Sequence, residues 1–408
     1  MKRFRGMRIL VSALLALGVF GLVVPQAGAQ EKHPSVSRSF AKPLKAAQDA
    51  MNEKKYPEAL AKLRDVQGMS GATPYDQYVT NELLYFVNAK LGDEAAATRA
   101  LEANLDSPYL APADKPARVR ALAQLNYKQK NYAKAIDYGN RAIKGGFADA
   151  DMITLVAQAY YLSGDNKGTR RLLEDIVGDQ LKRGQKPSQN HLQLILSACL
   201  KLEDSACTTT SLERLVQFYP KPEYWQNLTY SLFQDNTNSD RQMLNVYRLA
   251  NDVDTLKRPS DYMEMAQLAM EQGSPGEAQA VLEKGLAKNV FTEARDADRA
   301  KRLLETAKKQ AVSDRAALPA IEKDAKTGEA KVRLGQAYLS YGQYDKAISL
   351  IGAGIKDGGL KSADEANLLY GIALYKAGRN DEAVKAFKAV QTDPKFARLG
   401  KLWALHVS

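Results

Sequence analysis

The sequence predicts an all-α fold: a solenoid of about ten stacked helix pairs over residues 38–394. Three observations carry this. A small residue returns at intervals of 34–38 positions: Ala59, Ala97, Ala135 and Thr169, then Ala278, Ala347 and Ala383 after longer gaps that hold degenerate units. The first helix of each pair is apolar on most sides, as in Leu368, Leu369, Tyr370, Ile372, Leu374 and Tyr375, which suits a helix packed between neighbours. The second is amphipathic, with Ala383, Phe387 and Val390 recurring at three- and four-residue steps.

At the start of the chain, Lys2, Arg3, Arg5 and Arg8 form a basic segment ahead of the apolar run Ile9–Val24, and Ala27 and Ala29 supply small residues. Residues 1–29 therefore read as a cleavable signal peptide, with a retained membrane anchor as the alternative, and the mature chain is expected in the periplasm. No later apolar run approaches the length that spans a bilayer. Removing the four bases lowers the formal charge of +11 to +7, spread along the chain without a block of like charges. An exported protein rarely meets nucleic acid, so the excess points to an acidic protein or an anionic envelope component.

The repeat organises residues 30–290, with degenerate units over about 188–250. Two of these are His191–Pro220 and Glu223–Ala250, the latter lacking the small residue in its second helix. A third degenerate helix pair is expected over Asp296–Ile321, within a connecting region 291–327, with Pro319 inside its pattern. Residues 328–394 hold two units that align without a gap: Gly335 matches Gly371, Gly342 matches Gly378, and Ala347 matches Ala383. Gly371 and Ala383 are expected where paired helices cross closely, and Gly378 in a turn that needs positive φ. Residues 395–408 place Phe396, Leu399 and Trp403 on one helical face, a capping helix over the last pair; the alternative is a helix that docks a partner. Cys199 and Cys207, close in sequence in an exported chain, are candidates for a disulfide, with two buried thiols as the alternative.

These units resemble the tetratricopeptide repeat family, whose unit is a helix–turn–helix of about 34 residues. The motif stands here as Leu334, Gly335 and Tyr338, as Trp225 and Leu228, and as Ala383, Phe387 and Pro394. The resemblance implies a right-handed superhelix, stabilised between nearest neighbours, whose first helices line a concave groove that holds ligands.

Chemistry has little foothold. The three histidines, His33, His191 and His406, lie far apart, and no HExxH, GxSxG or phosphate-loop motif occurs. The glycine-rich stretch Gly352–Gly359 ends a second helix and reads as packing and capping. Asn227 heads a glycosylation sequon but falls inside a helix. No catalytic residue, metal or cofactor is expected, and the carboxylates read as a solvated surface.

If the resemblance holds, the groove faces follow from the repeat. The residue eleven before each unit's small residue is Gln48, Phe86, Gln124, Gln158, Ser197, Tyr230, Gln267, Gln336 and Ile372 in turn. One turn on lie Tyr127, Tyr161, Phe233 and Tyr375; one turn back lie Arg120, Thr154, Gln193 and Gln226. The candidate partner-binding residues are accordingly Arg120, Gln124, Tyr127, Gln158, Tyr161, Gln193, Gln226, Tyr230 and Gln267. Amides both donate to and accept from a peptide backbone, and tyrosine adds area with a polar tip. The family's clamp for acidic tails uses Lys and Asn in this groove; only Arg120 and Asn190 come near it, so that specificity is not expected. Glutamine also favours helices, so descent from one ancestral unit produces the same row without a shared role. The expected function is a scaffold for a protein or extended peptide, accessory to envelope assembly, export or uptake; binding of peptidoglycan or an exported polysaccharide is the alternative. Ile372 marks the C-terminal end of the groove as apolar, sealed by the helix carrying Trp403.

Overall fold

The computed structural model describes residues 34–408; the expected signal peptide over 1–29, and His33, lie outside them. The described residues form twenty helices and no strand. They fall into two compact units, divided after Arg118.

The first unit holds two helix pairs, α1 (Arg38–Asn52) with α2 (Tyr56–Gly68) and α3 (Pro74–Leu91) with α4 (Glu94–Asn104), and the first residues of α5 (Lys115–Lys128). Phe40, Leu44, Ala47, Leu63, Val66 and Leu83 make its core. The start of α3 is fixed by a capping box of Thr73 and Asp76. Asp76 also accepts from the Ser37 backbone N–H at 2.9 Å and its hydroxyl at 2.8 Å, which anchors the start of α1. Burial pushes the Asp76 carboxyl up, but these two bonds, with two more from the Thr73 backbone N–H and hydroxyl, outweigh it and hold the pKa below the ordinary value.

The second unit continues through α5 and α6 (Tyr132–Lys144), α7 (Ala150–Leu162) and α8 (Asn166–Lys182), α9 (Gln189–Lys201) and α10 (Ser205–Phe218), α11 (Pro222–Phe233) and α12 (Asp240–Asp252), and α13 (Pro259–Glu271) and α14 (Pro275–Ala287). A single long helix, α15 (Ala294–Asp324), precedes α16 (Gly328–Ser340) with α17 (Tyr344–Asp357), α18 (Ala363–Lys376) with α19 (Asn380–Lys388), and the final α20 (Pro394–Val407). The fold is thus an all-α solenoid of nine helix pairs with two unpaired helices.

The periodic small residues sit where helices of a pair meet: Ala59, Ala135, Ala278, Ala347 and Ala383 are fully buried. Thr169 takes the same place by donating its hydroxyl to the Asp165 carbonyl one turn back, 3.1 Å away. A Cβ on Gly371 would stand 2.5 Å from the Phe387 ring, so α18 and α19 cross at a distance only glycine permits. Gly378 turns the chain between them at φ +79°. Cys199 at the end of α9 and Cys207 at the start of α10 are bonded, with Cα atoms 5.6 Å apart.

Two features depart from the expected repeat. Asp296–Ile321 is not a helix pair but part of the 31-residue α15. The segment has no glycine or asparagine to turn the chain and is rich in Ala, Lys, Arg and Leu, all strong helix formers. Pro319 lies within five residues of its end, where the hydrogen bond it forfeits costs the helix little of its length.

The second departure is α20. It covers α19 as a cap would: Trp403 stacks on Phe387, centroids 5.6 Å apart at 17°, and meets Tyr375 at 5.9 Å. It also reaches helices more than 150 residues away in sequence. Lys401 Nζ pairs with Glu213 of α10 at 2.6 Å, Arg398 donates to the Ser231 hydroxyl of α11 at 2.8 Å, and His406 Nε2 lies 2.7 Å from Asp252 of α12. Trp225 packs edge-on against the same imidazole. The largest apolar core accordingly runs from α7 to α12 and resumes at α15 to α20, while α13 and α14 belong to a second core. Helix α12 serves both, with Val246 and Leu249 on one side and Leu244, Tyr247 and Ala250 on the other.

In place of the missing small residue, α12 buries a polar network. Arg248 forms a fork on Glu277 of α14 at 2.7–3.1 Å and donates to Asn245 at 3.0 Å. Asn245 also reaches Glu365 of α18, which pairs with Arg241 at 2.8 Å. Burial raises the Glu365 pKa against the pull of Arg241 and Arg248. At Asp252 the balance is reversed: burial pushes the carboxyl up, but hydrogen bonds from His406 and Lys376 prevail and hold it at about 2.

Because this pKa is lower in the folded than in the unfolded chain, Asp252 stabilises the fold above the ordinary carboxylate range and loses that contribution as pH falls through about 2. Asp252→Asn is expected to lower unfolding free energy by about 2 kcal/mol at pH 6 and by under about 1 kcal/mol at pH 2.5. Urea titrations of both proteins across that range measure it; a gap independent of pH contradicts the assignment.

Candidate functional site

The nine candidate groove residues all lie in the second unit, on α5, α7, α9, α11 and α13. Each of these is the first helix of its pair. Residues four apart on such a helix share a face, which groups Arg120 with Gln124, Thr154 with Gln158, and Gln226 with Tyr230.

Their surroundings divide them. Arg120 is spent within the fold: its guanidinium pairs with Asp149 and donates to the Phe147 carbonyl at 3.2 Å, tying α5 to the turn before α7. Backbone donation from Met152 is the main cause holding the Asp149 carboxyl below its ordinary range, with Arg120 adding to it. Gln193, with Gln189, donates to the Tyr224 hydroxyl at 2.7 and 2.8 Å, so α9 and α11 are joined through that tyrosine. Tyr127 donates to the Gln158 side-chain oxygen at 3.0 Å, bridging α5 and α7 near the surface. Gln124, Gln158, Gln226, Tyr230 and Gln267 are exposed, and Tyr161 is half-buried.

The row ends where the chain closes on itself. Gln336, at the same repeat position on α16, is 7% exposed and donates to the Ser274 hydroxyl at 3.0 Å and the Gln272 carbonyl at 3.2 Å. It locks α16 to the turn before α14 and presents nothing to a ligand. Ile372 on α18 is buried too, in the wall of a cleft of about 390 Å³ that Trp403 also lines. The cleft's charged groups are largely paired: Arg248 with Glu277, and Lys376 with Asp252.

Repeat position singled out Tyr230 but not the two leucines of the row. Leu162 on α7 is 52% exposed, Leu200 on α9 is 58% exposed, and Tyr230 on α11 is 63% exposed. Leu162 follows Gln158 by four residues and Leu200 follows Ser197 by three, so both share the face of the row. The signal was present in the sequence as leucine in the last turn of a helix whose buried face was already filled. His191, buried on α9, holds Thr154 at 2.9 Å through Nε2, and burial lowers its pKa; it braces adjacent helices. Among the described residues no group of His, Cys, Asp or Glu is arranged to hold a metal ion, and no helix is long and apolar enough to cross a membrane.

Residues 332–395, covering nearly all of α16 to α19, match the family model described as tetratricopeptide repeat. This segment is similar to a tandem of tetratricopeptide repeats. Comparison with curated proteins gives no match. Among solved structures, a tetratricopeptide repeat protein from Parabacteroides merdae is similar at 13% identity and a TM-score of 0.20, over 80% of this chain and 98% of that one. The C-terminal part of a TPR repeat-containing protein from Cytophaga hutchinsonii is similar at 16% identity and 0.24, over 69% of this chain and 98% of that one. Repeats of this kind serve in general as protein–protein interaction scaffolds.

Burial separates the two kinds of glutamine. Gln336→Ala leaves the Ser274 hydroxyl and Gln272 carbonyl without their buried donor and is expected to cost about 1–2 kcal/mol. Gln124→Ala, at an exposed position, is expected to stay within about 0.5 kcal/mol of the parent. Urea midpoints of the two variants measure the difference; equal effects contradict it.

Proposed function

We propose that the protein is a non-catalytic adaptor of the periplasm that holds an extended segment of a partner protein along α5, α7, α9 and α11, in the service of envelope assembly, export or uptake. The observation that carries this reading is the exposed apolar row of Leu162, Leu200 and Tyr230, interleaved with the exposed amides of Gln124, Gln158 and Gln226. Three of the six exposed large apolar side chains among the described residues fall on this one row, on the first helices of three consecutive pairs. A chain gains nothing from exposing leucine to water, whereas a bound segment buries it at about 25 cal/mol per Å². The amides then pair with the segment's backbone, which is independent of its sequence. Residues 1–29, with their basic, apolar and small-residue portions in order, support the assignment to the periplasm.

Binding of peptidoglycan or an exported polysaccharide is the second reading, and one feature favours it. Tyr75, Tyr78 and Tyr109 in the first unit cluster with ring centroids 5.0–6.2 Å apart, a half-buried aromatic surface of the kind sugars stack upon.

The test replaces position 162 or 230 with a photo-crosslinking phenylalanine in intact cells and recovers adducts from the released periplasm. The two positions are expected to capture the same stretch of one polypeptide, and position 217, exposed on α10, none. Retention on cell-wall sacculi with no protein adduct contradicts the adaptor reading in favour of the second.

A further inference from the structure

Beyond Tyr230 the row of first helices continues to Gln267 on α13, and there the neighbouring element is α15. Arg299 and Arg302, three residues apart and so on one side of α15, face α13 across a depression of about 290 Å³. Met263 and Leu303 supply its apolar walls, and Gln267 and Thr306 its remaining polar atoms. Thr306 donates its hydroxyl hydrogen to the Arg302 carbonyl at 3.0 Å, which leaves the two exposed guanidiniums and the Gln267 amide as the side-chain donors lining the depression.

Several arginines elsewhere in the chain are held by carboxylates. Arg118 is paired with Glu82, Arg170 with Glu174 and Asp204, Arg241 with Glu365, Arg248 with Glu277, and Arg379 with Glu382. Arg299 and Arg302 have no ion pair and no side-chain hydrogen bond among the described residues. Two guanidinium forks beside an amide, over an apolar wall, match the geometry of a carboxylate, which accepts a bidentate pair. The formal charge, +11 for the full chain and +7 once the four bases of residues 1–29 are removed, biases encounter toward such a group.

We propose that this pocket takes a carboxylate side chain from an acidic segment of the partner, the segment continuing along the row that begins at Gln124. The proposal rests on the adaptor reading for the path of the segment and adds its chemistry: Asp or Glu placed where the chain reaches Gln267. It is separate from the Lys and Asn clamp for acidic tails, since its charges come from the unpaired helix α15.

The probe is a fluorescein-labelled octaglutamate peptide, with binding to the mature protein followed by anisotropy at low salt. Arg299→Ala with Arg302→Ala is expected to weaken binding at least about tenfold. Lys301→Ala with Lys308→Ala, removing the same charge from the other side of α15, is expected to change it less than about twofold. Equal weakening in the two pairs, or no binding by the parent, overturns the proposal, and so does inorganic phosphate that competes as well as the peptide at equal concentration, or anionic vesicles that bind with the same dependence on Arg299 and Arg302. Failures of the two readings are distinguishable. Peptide binding lost while adducts at positions 162 and 230 persist defeats the pocket alone; adducts lost while Arg-dependent peptide binding persists defeats the groove reading alone.

Discussion

The seating of α20 is the constraint on which the second unit depends. A solenoid built only of nearest-neighbour contacts gains stability pair by pair, and its ends fray independently. Here Trp403 is buried against Phe387 and Tyr375, on the side of α20 that faces α18 and α19. Away from that side Lys401 and Arg398 reach Glu213 and Ser231, and His406, one turn after Trp403 and packed against it, reaches Asp252. The closing loop spans more than 150 residues, so its entropy must be offset by the whole of this contact. The apolar core common to α7–α12 and α15–α20, and the Arg241–Glu365 and Arg248–Glu277 pairs around α12, supply the offset.

Closure decides which repeat positions remain exposed. The same residue type at the same place in the unit has opposite fates: Gln124 and Gln158 face water, whereas Gln336 is locked onto Ser274. Ile372 is buried near Trp403 for the same reason. The row left exposed therefore runs from α5 to α13, where Leu162 and Leu200 lie, and its far end adjoins Arg299 and Arg302 of α15. Sharing a sequence position does not make residues share a role when long-range packing intervenes.

The helix pairs were legible in the sequence because they follow from local rules. A buried alanine recurs wherever two helices of a pair cross, Gly371 is required by the approach of Phe387, and Gly378 by a turn with positive φ. Even Thr169 in the alanine's place obeys this logic once its hydroxyl bonds back to Asp165. Two features were less legible. Asp296–Ile321 retains a helical pattern throughout, and Pro319 suggests a break that the absence of any turn residue overrules. The apolar face of α20 announced a cap, but the contacts of Lys401, Arg398 and His406 depend on where α10 to α12 lie in space, which no periodicity encodes. Within the site, the amide row could be read from repeat position, whereas the engagement of Arg120 with Asp149 and of Gln193 with Tyr224 could not.

Native-state hydrogen exchange in increasing urea tests the closure most directly, since it resolves which helices open together. The account predicts that amides of α10, α12 and α18 to α20 merge into one opening with a common free energy and denaturant dependence. Protection that declines stepwise from the C-terminus, with α20 opening while α10 and α12 keep their protection, would show that α20 is an ordinary terminal cap and contradict the account.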